Sequence, residues 1–379
     1  MVYFNKLIAR IIQYIMDSEK LNAILDSYDF GENVIRVEPN DQGRINTTYK
    51  LQVSNGKQYI LQKINHNVFH DVAGLMNNIA LVTRHIHSKA PKERGIDIIL
   101  TRDGENYVQV NGEYFRVYNN IENAECLDLT DSLKVIEEYG KAFGSFQRKL
   151  ADFDATQLIA TIPDFHRTDK RFKDLETAFI NCTDFHRQKR AMPLYKFLKM
   201  REEYAYVNTR RELPKRVTHN DPKLNNAMFD VSTGRCVAVI DLDTVMPGLV
   251  ADDFGDAIRY ICNSAGEDEI DPTNIKFDCK KYGAFARGFL SETACSLTPE
   301  EIESLADGCL AITYELSMRF LTDYLNGDKY FKVSEPGVSK ENLYRAKNQA
   351  TLLARMEGNV DFMRDTVRDV VSSMGKKMD

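Results

Sequence analysis

Between Val217 and Asp256 the chain reads VTHNDPKLNNAMFDVSTGRCVAVIDLDTVMPGLVADDFGD, and the alternation of apolar runs with polar residues leaves it few ways to fold. Asn226 to Phe229 reads as a short strand, Ser232-Thr233-Gly234 as a turn, and Cys236 to Ile240 as a continuous apolar strand of the buried kind. A hairpin of that size returns the carboxylate of Asp241 to the side of the loop that holds Asp221, Lys223 and Asn226. Phosphoryl transfer from a nucleotide asks a protein for that set of groups: a carboxylate beside the attacking hydroxyl, a cation on the moving phosphate and oxygen ligands for Mg2+. Asp221 has the place of the base, Lys223 that of the phosphate cation, and Asn226 and Asp241 those of the metal ligands.

The spacing resembles that of the aminoglycoside phosphotransferase and choline kinase superfamily, whose H-x-D-x-x-x-x-N loop is followed by I-D-x-D/E. His219, Asp221, Asn226, Asp241 and Asp243 fall on that pattern. The resemblance implies an α+β, bilobal, protein-kinase-like fold with a small antiparallel-sheet nucleotide lobe and a large, mainly helical lobe, and ATP and Mg2+ as cofactors. It adds Asp243 to the expected metal ligands. Asp253-Phe254-Gly255 spells the metal-binding triplet of protein kinases, but it lies too far beyond Asn226 to follow the hairpin directly. Asp253 is therefore expected to be structural: the resemblance implies a carboxylate here that opens a helix and braces the catalytic loop, which is compatible with a helix N-cap. A lone histidine in an apolar setting is more often packed and hydrogen-bonded than catalytic, so His219 is also expected to be structural.

The first third is strand-rich and the rest helix-rich, which divides the chain into residues 1–120 and 121–379. Strands are expected at Val34 to Val37, Thr47 to Val53 and Gln58 to Ile64, with Asn55-Gly56 as a hairpin turn. A helical period runs from Val72 to His87, and two strands, Asn106 to Val110 and Glu113 to Tyr118, flank Asn111-Gly112. Phosphates are expected under the turn Gln42 to Thr48, with Gly43, Asn46, Thr47 and Thr48 presenting backbone N–H groups and hydroxyls. Adenine is expected near Tyr118 and Ile121.

Two positions depart from the general kinase pattern. The inward residue of strand Gln58 to Ile64 is Gln62 where a Lys or Arg is usual, because Lys63 alternates to the other face. The helix after it contains no acidic residue, and Ala80 stands where a Glu is expected. Gln at the strand position is shared with the N-acetylhexosamine 1-kinases, which are similar to this chain in Gly43 to Tyr49, Tyr59 to Gln62, Arg116 to Tyr118, Phe143 to Gln147, Val217 to Gly255 and Met318 to Asp328. That resemblance implies a small-molecule sugar substrate, phosphorylated on the anomeric hydroxyl of N-acetylglucosamine or N-acetylgalactosamine. It places Arg319 and Tyr330 on the sugar beside Asp221, with Asp323 and Asp328 as weaker candidates, while Tyr314, Met318, Leu321 and Leu325 form a core stripe. Choline, homoserine or aminoglycoside kinases remain as alternatives, as does a nucleotide-binding protein without activity.

Composition narrows the class further. A net charge of −6 gives no basic footprint for nucleic acid. Seven cysteines without a C-x-x-C pair argue against a disulfide framework or zinc site. Phe4 to Met16 is interrupted by Lys6, Arg10 and Gln13 and reads as an amphipathic helix, neither signal peptide nor membrane span. These features suit a cytoplasmic enzyme. Residues 166–216 hold fourteen Lys or Arg against seven Asp or Glu, spread over expected helices Thr168 to Phe179 and Pro193 to Val207, and read as a solvated face. His66 and His70 have metal spacing but no third ligand nearby.

Overall fold

A computed structural model describes residues 17–40, 45–207 and 209–375. The expected helix Phe4 to Met16 and the glycine at Gly43 lie outside the described residues. The chain forms two compact units, one of residues up to Asn123 together with Gln157–Ile162, the other of Ala124–Thr156 and Pro163 onward. The linear division at residue 120 leaves Gln157–Ile162 in the second unit. The side chain of Asn78 holds that segment in the first, donating to the carbonyl of Ile159 (2.8 Å) and accepting from its N–H (3.0 Å).

The first unit is built on an antiparallel sheet. Strands β1 (Val34–Asn40), β2 (Thr47–Val53), β3 (Gln58–Ile64), β4 (Ile98–Ile99), β5 (Val108–Val110) and β6 (Glu113–Asn119) run in the order β1-β2-β3-β6-β4, with β5 beside β6. Period-two patterning explains its core: Tyr49, Leu51 and Val53 of β2 and Tyr59 and Leu61 of β3 point one way and are buried, together with Phe115 and Val117. Asn111 and Gly112 both adopt left-handed φ (52° and 78°), which suits the tight β5–β6 turn. The helix Val72–Lys89 is capped by Asp71, which accepts from Gly74 N–H at 2.8 Å. It buries Leu75, Met76, Ile79 and Val82. The short strand Ile98–Ile99 escaped the sequence reading because two residues show no periodicity.

The second unit is mainly helical and centres on the helix Pro299–Leu325, which is buried on nearly all sides. Its start is over-specified: Thr298 and Glu301 form a reciprocal capping box and Pro299 occupies the first turn. The helix Val250–Ile261 lies against it where two glycines meet. A Cβ on Gly308 stands 2.2 Å from the Ala251 carbonyl oxygen, and one on Gly255 stands 2.5 Å from the Gly308 carbonyl oxygen. Gly255 of the Asp-Phe-Gly triplet therefore serves close helix packing.

Two helical expectations are corrected. Pro193 does not start a helix; it sits inside the helix Phe185–Lys199, which Asp184 caps by accepting from His186 and Arg187 N–H. The basic stretch is not wholly a solvated face either. Arg187 is buried against the carbonyl of Tyr324 and the carboxylate of Asp328, the latter at 2.7 Å. No helix among the described residues is long and apolar enough to cross a membrane.

Candidate active site

The hairpin forms as its sequence suggests. Ala227–Asp230 pairs antiparallel with Cys236–Val239, and Ile240 N–H reaches the Asn226 carbonyl at 2.9 Å, so Asp241 emerges beside the end of the loop. Two residues there are left-handed: Asn220 (φ 64°) and Asp241 (φ 61°). Such a conformation costs roughly 1–2 kcal/mol for most residues and least for Asn and Asp. It persists at Asn220 because the neighbours over-determine it. Its amide nitrogen donates to the carbonyls of Thr218 (3.2 Å) and Thr244 (2.8 Å), and its amide oxygen accepts from Thr218 Oγ1 (3.0 Å).

Asp221 follows directly. Its Oδ1 lies 2.7 Å from Lys223 Nζ, and the side chain keeps 28 % of its surface open. Burial pushes the carboxyl up, but the Lys223 ammonium outweighs it and holds Asp221 below the usual carboxylate range. Burial works against the Lys223 charge as well, and Asp221, Glu267 and Asp256 together raise it above its ordinary value. An ionised carboxylate beside a permanent cation is the state that proton acceptance and phosphate attraction need. Asn226 closes the loop, donating from Nδ2 to the Asp221 carbonyl at 2.8 Å.

Asp253 and His219 hold this loop from behind. The buried Asp253 carboxylate accepts from His219 N–H (2.8 Å), Asn220 N–H (2.7 Å) and Gln147 Nε2 (2.8 Å). It is not a helix N-cap: the helix begins at Val250 after Leu249, and Asp253 lies within the first turn with its carboxylate turned to the loop. Burial raises its pKa, although the same donors favour the ionised form. His219 donates from Nε2 to the Ile240 carbonyl (2.9 Å) and accepts Asp221 N–H at Nδ1 (3.3 Å), with its ring edge-on to Phe143. Asp253→Ala leaves two buried backbone N–H groups without an acceptor, so unfolding free energy falls by about 2–4 kcal/mol. Thermal denaturation checks this, and the protein that remains folded keeps its divalent-ion dependence. Loss of that dependence at unchanged stability assigns Asp253 to the metal instead.

The donor set fits a hard divalent cation. Asn226 commits its amide nitrogen to Asp221, which leaves the amide oxygen as its available ligand; Asp241 is exposed and Asp243 is buried in the turn Leu242–Thr244. Among the described residues no group of three or more His, Cys, Asp or Glu side chains forms a cage. Mg2+ asks for none, because it retains waters and phosphate oxygens beside one or two carboxylates. His70 Nδ1 faces the His66 carbonyl at 3.2 Å, and no third His, Cys, Asp or Glu ligand gathers there among the described residues.

The expected nucleotide residues within the described chain belong to the first unit. Asn46 Oδ1 accepts from Asn65 N–H at 3.0 Å, Thr47 opens β2, and Thr48 is paired across the strands with Gln62. Tyr118 and Ile121 are buried. Sequence reasoning missed Arg116, the cross-strand partner of Gln62 on β6. Its guanidinium donates to Gln62 Oε1 from Nε (3.1 Å) and Nη2 (2.9 Å), and Gln62 Nε2 in turn donates to Thr48 Oγ1 (3.1 Å). The amide oxygen is thus consumed by a cation and Gln62 presents its N–H2 end. No local signal pairs the two residues, because the helix Val72–Lys89 and strands β4 and β5 lie between β3 and β6 in the chain.

In the second unit Arg319 packs among aromatic rings, 4.9 Å from the centroid of Phe165, 5.8 Å from Tyr330 and 5.7 Å from Phe331. Tyr330 is 57 % exposed. Asp323 and Asp328 are buried and serve structure. Asp323 accepts from the N–H groups of Lys329, Tyr330 and Phe331, and Asn342 Nδ2 bridges it to Asp328, which fixes the loop that carries Tyr330. Tyr314, Met318, Leu321 and Leu325 are core.

The profile of a family described as "Phosphotransferase enzyme family" matches residues 36–287. An aminoglycoside phosphotransferase from Alicyclobacillus acidocaldarius superposes with a TM-score of 0.61 at 13 % identity, over 92 % of this chain and 96 % of that one. A choline/ethanolamine kinase family protein from Mesorhizobium loti gives 0.60 at 16 % identity, over 93 % and 100 %. An amicoumacin kinase in complex with AMP-PNP, Ca2+ and Ami gives 0.55 at 12 % identity, over 93 % and 96 %. Likeness at these identities concerns the fold, and the fold is the kinase-like α+β arrangement expected from sequence.

Proposed function

Because the chain belongs to the phosphotransferase enzyme family and is thus a small-molecule kinase, we propose that it transfers the γ-phosphate of ATP to the anomeric hydroxyl of N-acetylglucosamine or N-acetylgalactosamine. The observation that carries the acceptor class is the setting of Arg319. A guanidinium among Phe165, Tyr330 and Phe331 offers hydrogen-bond donors over an apolar platform, which suits ring hydroxyls and an acetamido carbonyl. Glu315, the carboxylate on the same helix face, is buried and already engaged by His166, Thr168 and Arg319. A cationic acceptor meets a protein cation there instead of a waiting carboxylate.

In the reaction the acceptor oxygen forms a bond to the γ-phosphorus as the bond to the bridging oxygen of ADP breaks, and Asp221 takes the hydroxyl proton. Lys223 places positive charge beside the transferred group and keeps Asp221 ionised. Asn226, Asp241 and Asp243 would hold Mg2+, which neutralises phosphate charge when bound. Gln62, turned by Arg116 and donating one amide hydrogen to Thr48, has one left where a strand lysine is usual.

With ATP, Mg2+ and a panel of acceptors, N-acetylglucosamine or N-acetylgalactosamine is expected to be phosphorylated faster than choline, homoserine or kanamycin, because polar groups left unpaired by the wrong acceptor cost binding energy. The product is expected to be an acid-labile anomeric phosphate with phosphorus coupling to H1 in NMR. Phosphate on the 6-hydroxyl refutes the position, and turnover confined to non-sugar acceptors refutes the substrate class.

A further inference from the structure

His166 lies in the loop ahead of the helix Thr168–Asn181, and both of its ring nitrogens meet acceptors. Nδ1 is 3.1 Å from Glu315 Oε1, and Nε2 is 3.1 Å from the carbonyl oxygen of Asn220. A neutral imidazole carries one N–H and one lone pair, so it satisfies only one of these contacts; an imidazolium satisfies both. Glu315 is a carboxylate here, since Thr168 Oγ1 donates to its other oxygen at 2.8 Å and Arg319 Nη1 approaches Oε1 at 3.8 Å. The Asn220 carbonyl belongs to the left-handed residue that immediately precedes Asp221. Glu315 stands one helical turn before Arg319 on the helix Pro299–Leu325.

We propose that His166 is a positioning residue for Asp221: a doubly protonated imidazole that ties Glu315, and through it the Arg319 helix, to the backbone turn presenting the catalytic carboxylate. The proposal rests on the kinase reading for the role of Asp221, but the protonation and the tie themselves do not. The Asn220 amide is anchored to Asp253 and its side chain to Thr218 and Thr244. Its carbonyl, the group nearest Asp221 along the backbone, is anchored by His166. A neutral donor could hold that carbonyl. A cation also meets the buried charge of Glu315 at hydrogen-bond distance, where Arg319 approaches only to 3.8 Å.

The groups around the ring agree on the sign of the charge. Burial lowers the His166 pKa, but Glu315 and then Asp252 on the helix Val250–Ile261 raise it, Arg319 opposes them, and the net effect pushes it up to about 9. Arg171 on the helix Thr168–Asn181 contributes a further positive charge that faces Glu315. A histidine with a raised folded pKa contributes stability that is complete below its unfolded value near 6.5 and is lost as pH rises through about 9. The tie is therefore intact across the neutral range and opens on the alkaline side.

Three measurements on the full chain test this. With 15N-labelled histidine at pH 7.5, the His166 ring, identified by its disappearance in His166→Gln, is expected to show both nitrogens protonated, and a single protonated nitrogen overturns the proposal. Glu315→Gln keeps the shape but removes the counter-charge, and is expected to convert that ring to one protonated nitrogen at the same pH; an unchanged ring excludes Glu315 as its partner. In His166→Gln, amide hydrogen exchange across Thr218 to Lys223 is expected to quicken about tenfold or more, a loss on the order of 1.4 kcal/mol of local protection. In the same variant kcat falls by a similar factor with KM for ATP within about twofold, and the fall in kcat expected of the wild type as pH rises through about 9 is absent. Unchanged exchange overturns the tie whatever the acceptor proves to be. Quickened exchange in a protein that phosphorylates nothing keeps the tie and rejects the kinase reading.

Discussion

Asp221→Asn is expected to lower kcat by about a hundredfold or more, the size of general-base assistance, while KM for ATP stays nearly constant. The variant should fold. The loop is held through its backbone, by Asp253 on His219 and Asn220 and by Asn226 on the Asp221 carbonyl, and Asn matches Asp in shape. What changes is the proton acceptor and the charge opposite Lys223. Because Lys223 depresses the Asp221 carboxyl, the wild-type base stays ionised down through the usual carboxylate range. The acid limb of its kcat profile therefore lies below the usual carboxylate range, where the depressed group finally protonates. Steady-state kinetics of wild type and variant across pH decide the matter, and near-normal turnover in Asp221→Asn rejects this carboxylate as the base.

Asp241→Asn is expected to lower turnover to about one per cent of wild type or less and to leave thermal stability unchanged, with excess Mg2+ restoring little. Asn is the informative replacement. Asp241 sits at φ 61°, a conformation Asn tolerates as well as Asp does, whereas alanine adds backbone strain of roughly 1 kcal/mol and blurs the reading. Isothermal titration of Mg2+ with ATP, run beside the activity assay, separates loss of the ion from loss of the fold. Activity recovered at high Mg2+ reduces Asp241 to an aid to affinity, and full activity removes it from the metal site.

The two variants probe the part of the protein that was legible from sequence, and the reason is local. Ala227–Asp230 and Cys236–Val239 lie close along the chain, joined by a turn with Gly234 at φ 66°, so short-range rules fix their pairing and hence the place of Asp241. Other residues escaped because the partners that give them meaning are distant in sequence. The resemblance gives Asp253 as a brace on the loop and local rules give it as a helix cap, but neither says which backbone groups its carboxylate meets. Only the packing of Val250–Ile261 against Pro299–Leu325, through Gly255 and Gly308, turns its carboxylate onto His219 and Asn220.

The sequence by itself determined the antiparallel strands of the first unit, the hairpin from Ala227 to Val239, and the phosphotransferase-like spacing of Asp221, Asn226 and Asp241, because period-two patterning, turn glycines and short loops act over a few residues. Tertiary structure decided the charge states and supports. Arg116 turns the amide of Gln62 from the neighbouring strand, Asp323 gathers three N–H groups to set the loop of Tyr330, and Glu315 makes His166 a cation beneath Asn220. The physical reason is that a polar group's protonation and direction depend on which donors and acceptors surround it once water is excluded, and those neighbours come from elements far apart in the chain.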